Sequence, residues 1–283
     1  MATAGDVNGD GLGDVIVGAP DGSPSNPNQM GRAFVWHGQH TSTGVSTSTD
    51  WNDIGEQADA LYGYSVATAG DVNGDGYSDM IVGAPGHASA AGKAYVYHGR
   101  PDSLNEEAGW TKVSNMEQAL FGFSVGTAGD VNGDGYADVI AGAPRWDGGY
   151  ALEGGAWVYL GSADGLQSAP NWYKRSGKEF AEFGYSVGTA GDVNGDGYDD
   201  VIVGAPGWHN AATDEGGVWI YKGSSTGVES APLWHKESNQ VGARFGTSVG
   251  TAGDVNGDGY SDVIAGAPFY SHGQSEEGMA WVY

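Results

Sequence analysis

The sequence predicts an all-β protein built as a β-propeller, on three observations. One motif recurs five times at nearly constant spacing, each copy divides into about four short apolar or aromatic segments, and no segment sustains a helical period. The hexapeptide DVNGDG begins at Asp6, Asp71, Asp130, Asp192 and Asp254, at intervals of 65, 59, 62 and 62 residues. The 283 residues then form one domain with repeats at approximately 1–61, 62–120, 121–182, 183–244 and 245–283. A lone four-stranded sheet cannot bury both faces, whereas sheets stacked around an axis bury one another. An exact repeat therefore favours a propeller of five visible four-stranded antiparallel blades over a sandwich.

The elements follow in order within each copy. The first segment, such as SVGTAGDV from Ser124, is made of small residues and suits an inner strand near a crowded axis. The second, a relative of DVIVGAP, is a short Val/Ile/Ala run closed by Gly-Ala-Pro, the pattern of a strand buried on both faces. The third alternates aromatic and β-branched residues, as in GGAWVYLG from Gly154, and fits a pleated surface. The fourth carries one tryptophan per copy: Trp51, Trp110, Trp172 and Trp234. Four copies open on aromatic-Gly-x-Ser-Val, at Tyr62, Phe121, Phe183 and Phe245. The first copy lacks that opening and the fifth lacks its tryptophan segment, so the first and last blades are expected to be incomplete. Whether the ring closes stays open: the pattern suits a window on a longer array or a ring that closes imperfectly.

Composition narrows the function. With 36 acidic against 11 basic residues the formal charge is −25, which disfavours nucleic acid and anionic membrane surfaces. No apolar run approaches the roughly 20 residues of a membrane span, so direct membrane insertion is not expected. Cysteine is absent, excluding disulfides and thiolate metal sites. The abundant Gly and Pro could signal disorder, but 10 Trp, 15 Tyr and 7 Phe argue for a packed protein.

The acid has a pattern. Every copy reads D-x-N-x-D-G-x-x-D, placing side-chain oxygens at positions one, three, five and nine and a main-chain carbonyl at seven. The candidate ligands are Asp6, Asn8, Asp10, Leu12 (carbonyl) and Asp14; Asp71, Asn73, Asp75, Tyr77 (carbonyl) and Asp79; Asp130, Asn132, Asp134, Tyr136 (carbonyl) and Asp138; Asp192, Asn194, Asp196, Tyr198 (carbonyl) and Asp200; and Asp254, Asn256, Asp258, Tyr260 (carbonyl) and Asp262. Hard oxygen donors in that number suit Ca²⁺, so about five calcium ions are expected. The bland alternative is a metal-free Asx turn. Five copies with identical offsets favour calcium. Position twelve is Val17, Val82, Ala141, Val203 or Ala265 rather than an acid, which departs from an EF-hand and fits a loop inside a β-hairpin.

Taken together, the aromatic-Gly, DVNGDG and Gly-Ala-Pro motifs resemble the FG-GAP repeats of the integrin α-subunit propeller and its bacterial relatives. The resemblance covers essentially the whole chain. It implies blades of four antiparallel strands, calcium in the hairpin between the first two strands of a blade, and a ligand face opposite the calcium loops. Family propellers commonly have seven blades, and five are visible here. The lack of cysteine, unlike typical animal integrins, points to a bacterial cell-surface or extracellular protein. This chain shows no signal peptide, which says nothing about secretion given its abrupt first repeat.

Other motifs read as structural. Gly-x-Ser-x-Gly, a nucleophile-elbow pattern, recurs around Ser124, Ser186 and Ser248, but it runs into a strand rather than a helix. His37 and His40 could grip a transition metal, yet scattered histidines argue for drift. The variable segments between the second and third strands begin at Asp21, Gly86, Arg145, Gly207 and Phe269. They are where a binding face would be built on a repeated scaffold, with Arg145, Trp146, Trp208, His209, Phe269, Tyr270 and His272 as candidate contacts. The expected function is a non-enzymatic, calcium-stabilised extracellular module for adhesion or for binding a protein or glycan. The rivals are a propeller-type polysaccharide lyase or hydrolase, and a structural array that self-associates through incomplete blades.

Overall fold

Strand pairing gives five consecutive antiparallel sheets. The computed structural model describes residues 1–21, 30–210 and 212–283. The first sheet is β1 (Ala2–Gly5), β2 (Asp14–Ala19), β3 (Arg32–Trp36) and β4 (Trp51–Ile54). The second is β5 (Ser65–Gly70), β6 (Asp79–Ala84), β7 (Lys93–Tyr97) and β10 (Trp110–Val113), with a two-residue hairpin, β8 (Gly99–Arg100) and β9 (Ser103–Leu104), before its last strand. The third is β11 (Ser124–Gly129), β12 (Asp138–Ala143), β13 (Gly155–Tyr159) and β14 (Trp172–Arg175). The fourth is β15 (Ser186–Gly191), β16 (Asp200–Ala205), β17 (Gly217–Tyr221) and β18 (Pro232–Glu237); the fifth is β19 (Ser248–Gly253), β20 (Asp262–Ala267) and β21 (Met279–Val282). Each sheet runs in sequence order, so every blade is an up-and-down meander. The first keeps four strands with a shortened β1, and the fifth has three.

The inner strands pack side by side in the order β1, β5, β11, β15, β19, and no comparable packing joins β19 back to β1. The five blades therefore form an arc. Ile264 of β20 is 41% exposed, whereas its counterparts Ile140 and Ile202 are fully buried by the next blade.

The motif glycines are explained by the way blades meet. Gly83 of the second Gly-Ala-Pro abuts Gly122 of the following Phe-Gly pair; a Cβ on Gly83 would stand 1.9 Å from the Gly122 carbonyl oxygen. The contact recurs between Gly142 and Gly184 and between Gly204 and Gly246. Outward along each blade, the fourth-strand tryptophan meets the third-strand tyrosine of the next. Trp51–Tyr97, Trp110–Tyr159, Trp172–Tyr221 and Trp234–Tyr283 have ring centres 4.9–5.0 Å apart, close enough for the edge-on and tilted contacts that aromatic pairs favour. The aromatic composition is thus spent largely on inter-blade packing.

Candidate metal centres and the opposite loop face

Each acidic loop joins the first two strands of a blade, and a β-bulge sets its aim. In the third blade Thr127 pairs with Val139 and Gly129 with Asp138, so the register slips by one residue. The Gly129 N–H turns back to the Thr127 hydroxyl (3.0 Å), and Gly129 takes φ +79°, the left-handed region where glycine is free of Cβ strain. The same slip occurs in all five blades. This accounts for the Thr-Ala-Gly preceding every loop.

Inside the loop the first aspartate organises the main chain. Asp130 Oδ1 accepts the N–H groups of Gly133 (2.7 Å) and Asp134 (3.1 Å), and its Oδ2 accepts that of Gly135 (2.8 Å). Asn132 Oδ1 accepts the Asp134 N–H and Asp134 Oδ1 accepts the Tyr136 N–H. The Asn132 amide donates to Asp134 Oδ2 (2.8 Å), which brings positions three and five together. Asp6, Asp71 and Asp254 fold their loops through the same three main-chain contacts, as does Asp192. The fourth loop differs at its side chains. Asn194 reaches Asp200 Oδ2 (3.2 Å), and Lys222 Nζ pairs with Asp196 Oδ2 (2.9 Å). Positions three and nine are therefore within one hydrogen bond of each other.

The ninth-position aspartate has a role that spacing alone did not reveal. Asp138 is fully buried; its Oδ2 accepts the Val131 N–H (2.9 Å) and its Oδ1 the Gly161 N–H (2.8 Å), tying the loop to the end of β13. Asp14, Asp79 and Asp200 make the equivalent pair of bonds, to Val7 and Gly38, Val72 and Gly99, and Val193 and Gly223. Asp262 bonds Val255 (2.8 Å). Burial is the main cause that raises the carboxyls of Asp79 and Asp138 to about 7 and that of Asp200 to about 6; the two neighbouring loop aspartates add to it, and the main-chain donors oppose it.

The donor set fits a hard divalent cation in kind: three carboxylates, one amide oxygen and one main-chain carbonyl per loop, in a turn whose position-six glycines face open space. Among the described residues, no three His, Cys, Asp or Glu side chains converge as a metal set. The loops are also chained. The Ser78 N–H donates to the Asp6 carbonyl (2.9 Å), and Ala137, Asp199 and Ser261 do the same to Asp71, Asp130 and Asp192. The rings of Tyr77, Tyr136, Tyr198 and Tyr260 lie over Gly9, Gly74, Gly133 and Gly195 of the preceding loop.

The variable segments stand at the other end of the blades, since they join the second strand to the third. Residues 22–29 of the first segment and Ala211 of the fourth lie outside the described residues. Trp146, Trp208 and Tyr270 are half-buried, each packed edge-on against the third-strand tryptophan of its own blade (Trp157, Trp219, Trp281) at 4.8–5.0 Å. Trp208 also donates to Glu237 (2.8 Å). His209 is half-buried beside the Gly207 carbonyl, while Arg145, Phe269 and His272 are exposed. Ser124 and Ser186 bridge blades: Ser124 Oγ accepts the Val187 N–H (3.1 Å), and Ser186 Oγ donates to the Gly246 carbonyl (2.9 Å). Among the described residues, no helix is long and apolar enough to cross a membrane.

Comparison with known proteins agrees with the motifs. The FG-GAP repeat model matches residues 2–36, 62–97, 121–159, 183–221 and 245–283. The chain is similar to integrin alpha-V of Gallus gallus, 37% identical over 221 residues that cover 74% of this chain and 20% of that protein. It is also similar to integrin alpha pat-2 of Caenorhabditis elegans, 32% identical over 276 residues that cover 89% of this chain and 21% of that protein. The chain thus spans about a fifth of the length of these relatives. Among solved structures, that of an exotype rhamnogalacturonan lyase overlaps 96% of this chain and 54% of its own, at 17% identity and a TM-score of 0.45, too distant to bear on activity.

Proposed function

The chain belongs to the FG-GAP repeat family, and on that premise we propose that it is a calcium-stabilised, non-catalytic propeller that binds an extracellular protein or glycan. The observation that carries this reading is a division of labour between the two ends of the blades. One end repeats the same acidic loop five times, and the other presents segments that differ in length and chemistry. The integrin relatives support an adhesive role and an extracellular setting.

In each loop the cation would be held by the side chains at positions one, three, five and nine and the carbonyl at seven. Calcium supplies positive charge where three carboxylates crowd, and it cross-links the two strands of the hairpin. The chain's own residues already shape the turn through the first aspartate and anchor it through the ninth. Two serines of the nucleophile-like motif, Ser124 and Ser186, make inter-blade hydrogen bonds, which supports a structural rather than a nucleophilic role for them.

The test has two arms. Calorimetric titration of the EDTA-treated protein is expected to show several calcium sites, and asparagine at positions one and five of one loop should remove one of them. Binding to immobilised extracellular-matrix proteins and glycans is expected to be lost when residues 269–277 are replaced by a Gly-Ser segment with calcium binding intact. Absence of calcium uptake would overturn the first half of the reading, and unchanged binding by the loop replacement the second.

A further inference from the structure

The clefts between successive blades share one plan, and the first cleft departs from it. Between the second and third blades, the Trp110 indole N–H anchors on the Gln167 carbonyl (3.2 Å). Two residues on, Lys112 Nζ donates to the Ser168 carbonyl (2.8 Å) and stands 5.7 Å from the centre of the Tyr159 ring. The third-to-fourth cleft repeats this arrangement. Trp172 bonds Glu229 (3.1 Å), Lys174 bonds Ser230 (2.9 Å), and Lys174 lies 5.8 Å from the Tyr221 ring. In both, the fold supplies an ammonium group to a tyrosine face and a carbonyl oxygen.

The first-to-second cleft keeps the anchor, with Trp51 on the Asn105 carbonyl (3.1 Å), so the register is unchanged. The lysine's place is held by Asp53, and the place of Ser168 and Ser230 by Glu106. Tyr97 donates to Asp53 Oδ2 (2.5 Å) and Tyr62 to Tyr97 Oη (2.9 Å). The space there is about 350 Å³, and among the described residues its lining includes Asp53, Glu56, Glu106 and Glu107 but no lysine or arginine. Lys93 Nζ stands 4.3 Å from the centre of the Tyr95 ring and is held there by both Glu56 oxygens (3.0 and 2.9 Å), so it does not take the place beside Asp53 and Tyr97. A second feature is independent of the acids. Tyr95 lines the same cleft, is 2% exposed, and its hydroxyl has no hydrogen-bond partner among the described residues. The same register position holds Trp157 and Trp219 in the next two blades, so this hydroxyl is particular to the first cleft. A buried hydroxyl left unpaired is costly unless something meets it.

We propose that this cleft binds a primary alkylammonium group from outside the chain, the same group that Lys112 and Lys174 provide within it. Such a group has three donors. The Asp53 carboxylate, the Glu106 carbonyl and the Tyr95 hydroxyl are acceptors suited to them, and the Tyr97 ring replaces the Tyr159 and Tyr221 faces. The chemistry is shared by a lysine side chain of a protein partner and by a free amine.

The experiment titrates the calcium-loaded protein at constant ionic strength with n-butylammonium, with the capped tripeptide Gly-Lys-Gly, and with tetramethylammonium, following the Trp51 indole N–H by NMR. Saturable binding of the first two is expected. It should be abolished in Asp53→Lys, which installs the resident ammonium of the other clefts, and weakened at least about tenfold in Asp53→Asn, on the scale of a lost charge-assisted hydrogen bond. Tyr95→Phe should weaken binding severalfold while melting near the wild type. Should Asp53→Lys fail to fold, the asparagine and phenylalanine variants still decide. A peptide bound more tightly than butylammonium assigns the group to a protein partner, and equal affinity assigns it to a free amine. Non-saturable shifts, wild-type affinity in Asp53→Asn, or tetramethylammonium bound as tightly as butylammonium would overturn the proposal.

Discussion

Asp138→Ala separates two roles that spacing alone merges. The Asp138 carboxylate is fully buried and accepts two main-chain N–H groups, from Val131 at 2.9 Å and Gly161 at 2.8 Å. Alanine leaves both donors buried without an acceptor, and each orphaned group costs about 1–3 kcal/mol. Losing the carboxylate also removes a buried charge that desolvation already disfavours, since burial raises its pKa to about 7. The net expectation is a destabilisation of about 2–4 kcal/mol, the lower part of the range set by two lost acceptors. Asparagine keeps one acceptor oxygen and should cost about half as much. The assay is urea unfolding at pH 8 with calcium and with EGTA, together with hydrogen exchange at Val131 and Gly161, because blades in an array can open separately. If the aspartate clamps the backbone, the penalty persists in EGTA and both amides lose protection. A variant that matches the wild type in EGTA, and differs only when calcium is present, would refute the clamp and leave the residue purely a metal ligand.

Three further outcomes are expected. Calcium removal should lower the melting temperature strongly, because a site at hundredfold saturation contributes about 2.7 kcal/mol; an unchanged melt with EGTA would sink the stabilising role. In EGTA the protein should melt lower at pH 8 than at pH 5. The folded carboxyls of Asp79 and Asp138 (about 7) and Asp200 (about 6) hold protons more tightly than the unfolded ones at 3.8, so stability present below the unfolded value is lost as pH rises through the folded values; a rising melt over that interval contradicts the assignment. Gly83→Ala should destabilise by about 1–3 kcal/mol or more, since its Cβ would meet the Gly122 oxygen at 1.9 Å, whereas Gly188→Ala, with nothing within 4 Å, should be near neutral in thermal melts.

The blade plan was legible because repetition exposes it: five copies of one pattern fix the strand order, and the Val/Ile run and the aromatic alternation each mark a pleated face. The Gly-Ala-Pro and aromatic-Gly glycines could be recognised as required but not explained, because the contact that requires them joins residues about 40 positions apart in different blades. The acidic loops were legible as a donor set. The double hydrogen bond of Asp138 was not, since its partner Gly161 lies beyond the end of β13, 23 residues on, and glycine carries no side-chain signal. Trp146 and Trp208 show the limit most directly. Their place in variable segments suggests exposure, yet each packs on a tryptophan of its own blade. The departure at Asp53 could have been found by aligning the fourth strands of the repeats, where lysine recurs at 112, 174 and 236.

The chained loops connect calcium to cohesion between blades. The carbonyl of Tyr77, the proposed main-chain ligand at position seven, and the N–H of Ser78 belong to one peptide group. That N–H donates to the Asp6 carbonyl of the preceding loop at 2.9 Å, and the peptides preceding Ala137, Asp199 and Ser261 make the same link. A cation drawn to the carbonyl polarises the peptide and makes its N–H a better donor, as hydrogen bonds in series do. Calcium at one loop should therefore tighten the junction with the blade before it, beyond stiffening its own hairpin. Hydrogen exchange reads this directly. Protection of the Ser78, Ala137, Asp199 and Ser261 amides should rise on calcium addition by a larger factor than that of the Ile140 and Ile202 amides, which bond within a sheet. Equal gains at both sets would mean that calcium stabilises each hairpin alone and that the chain of loops transmits nothing.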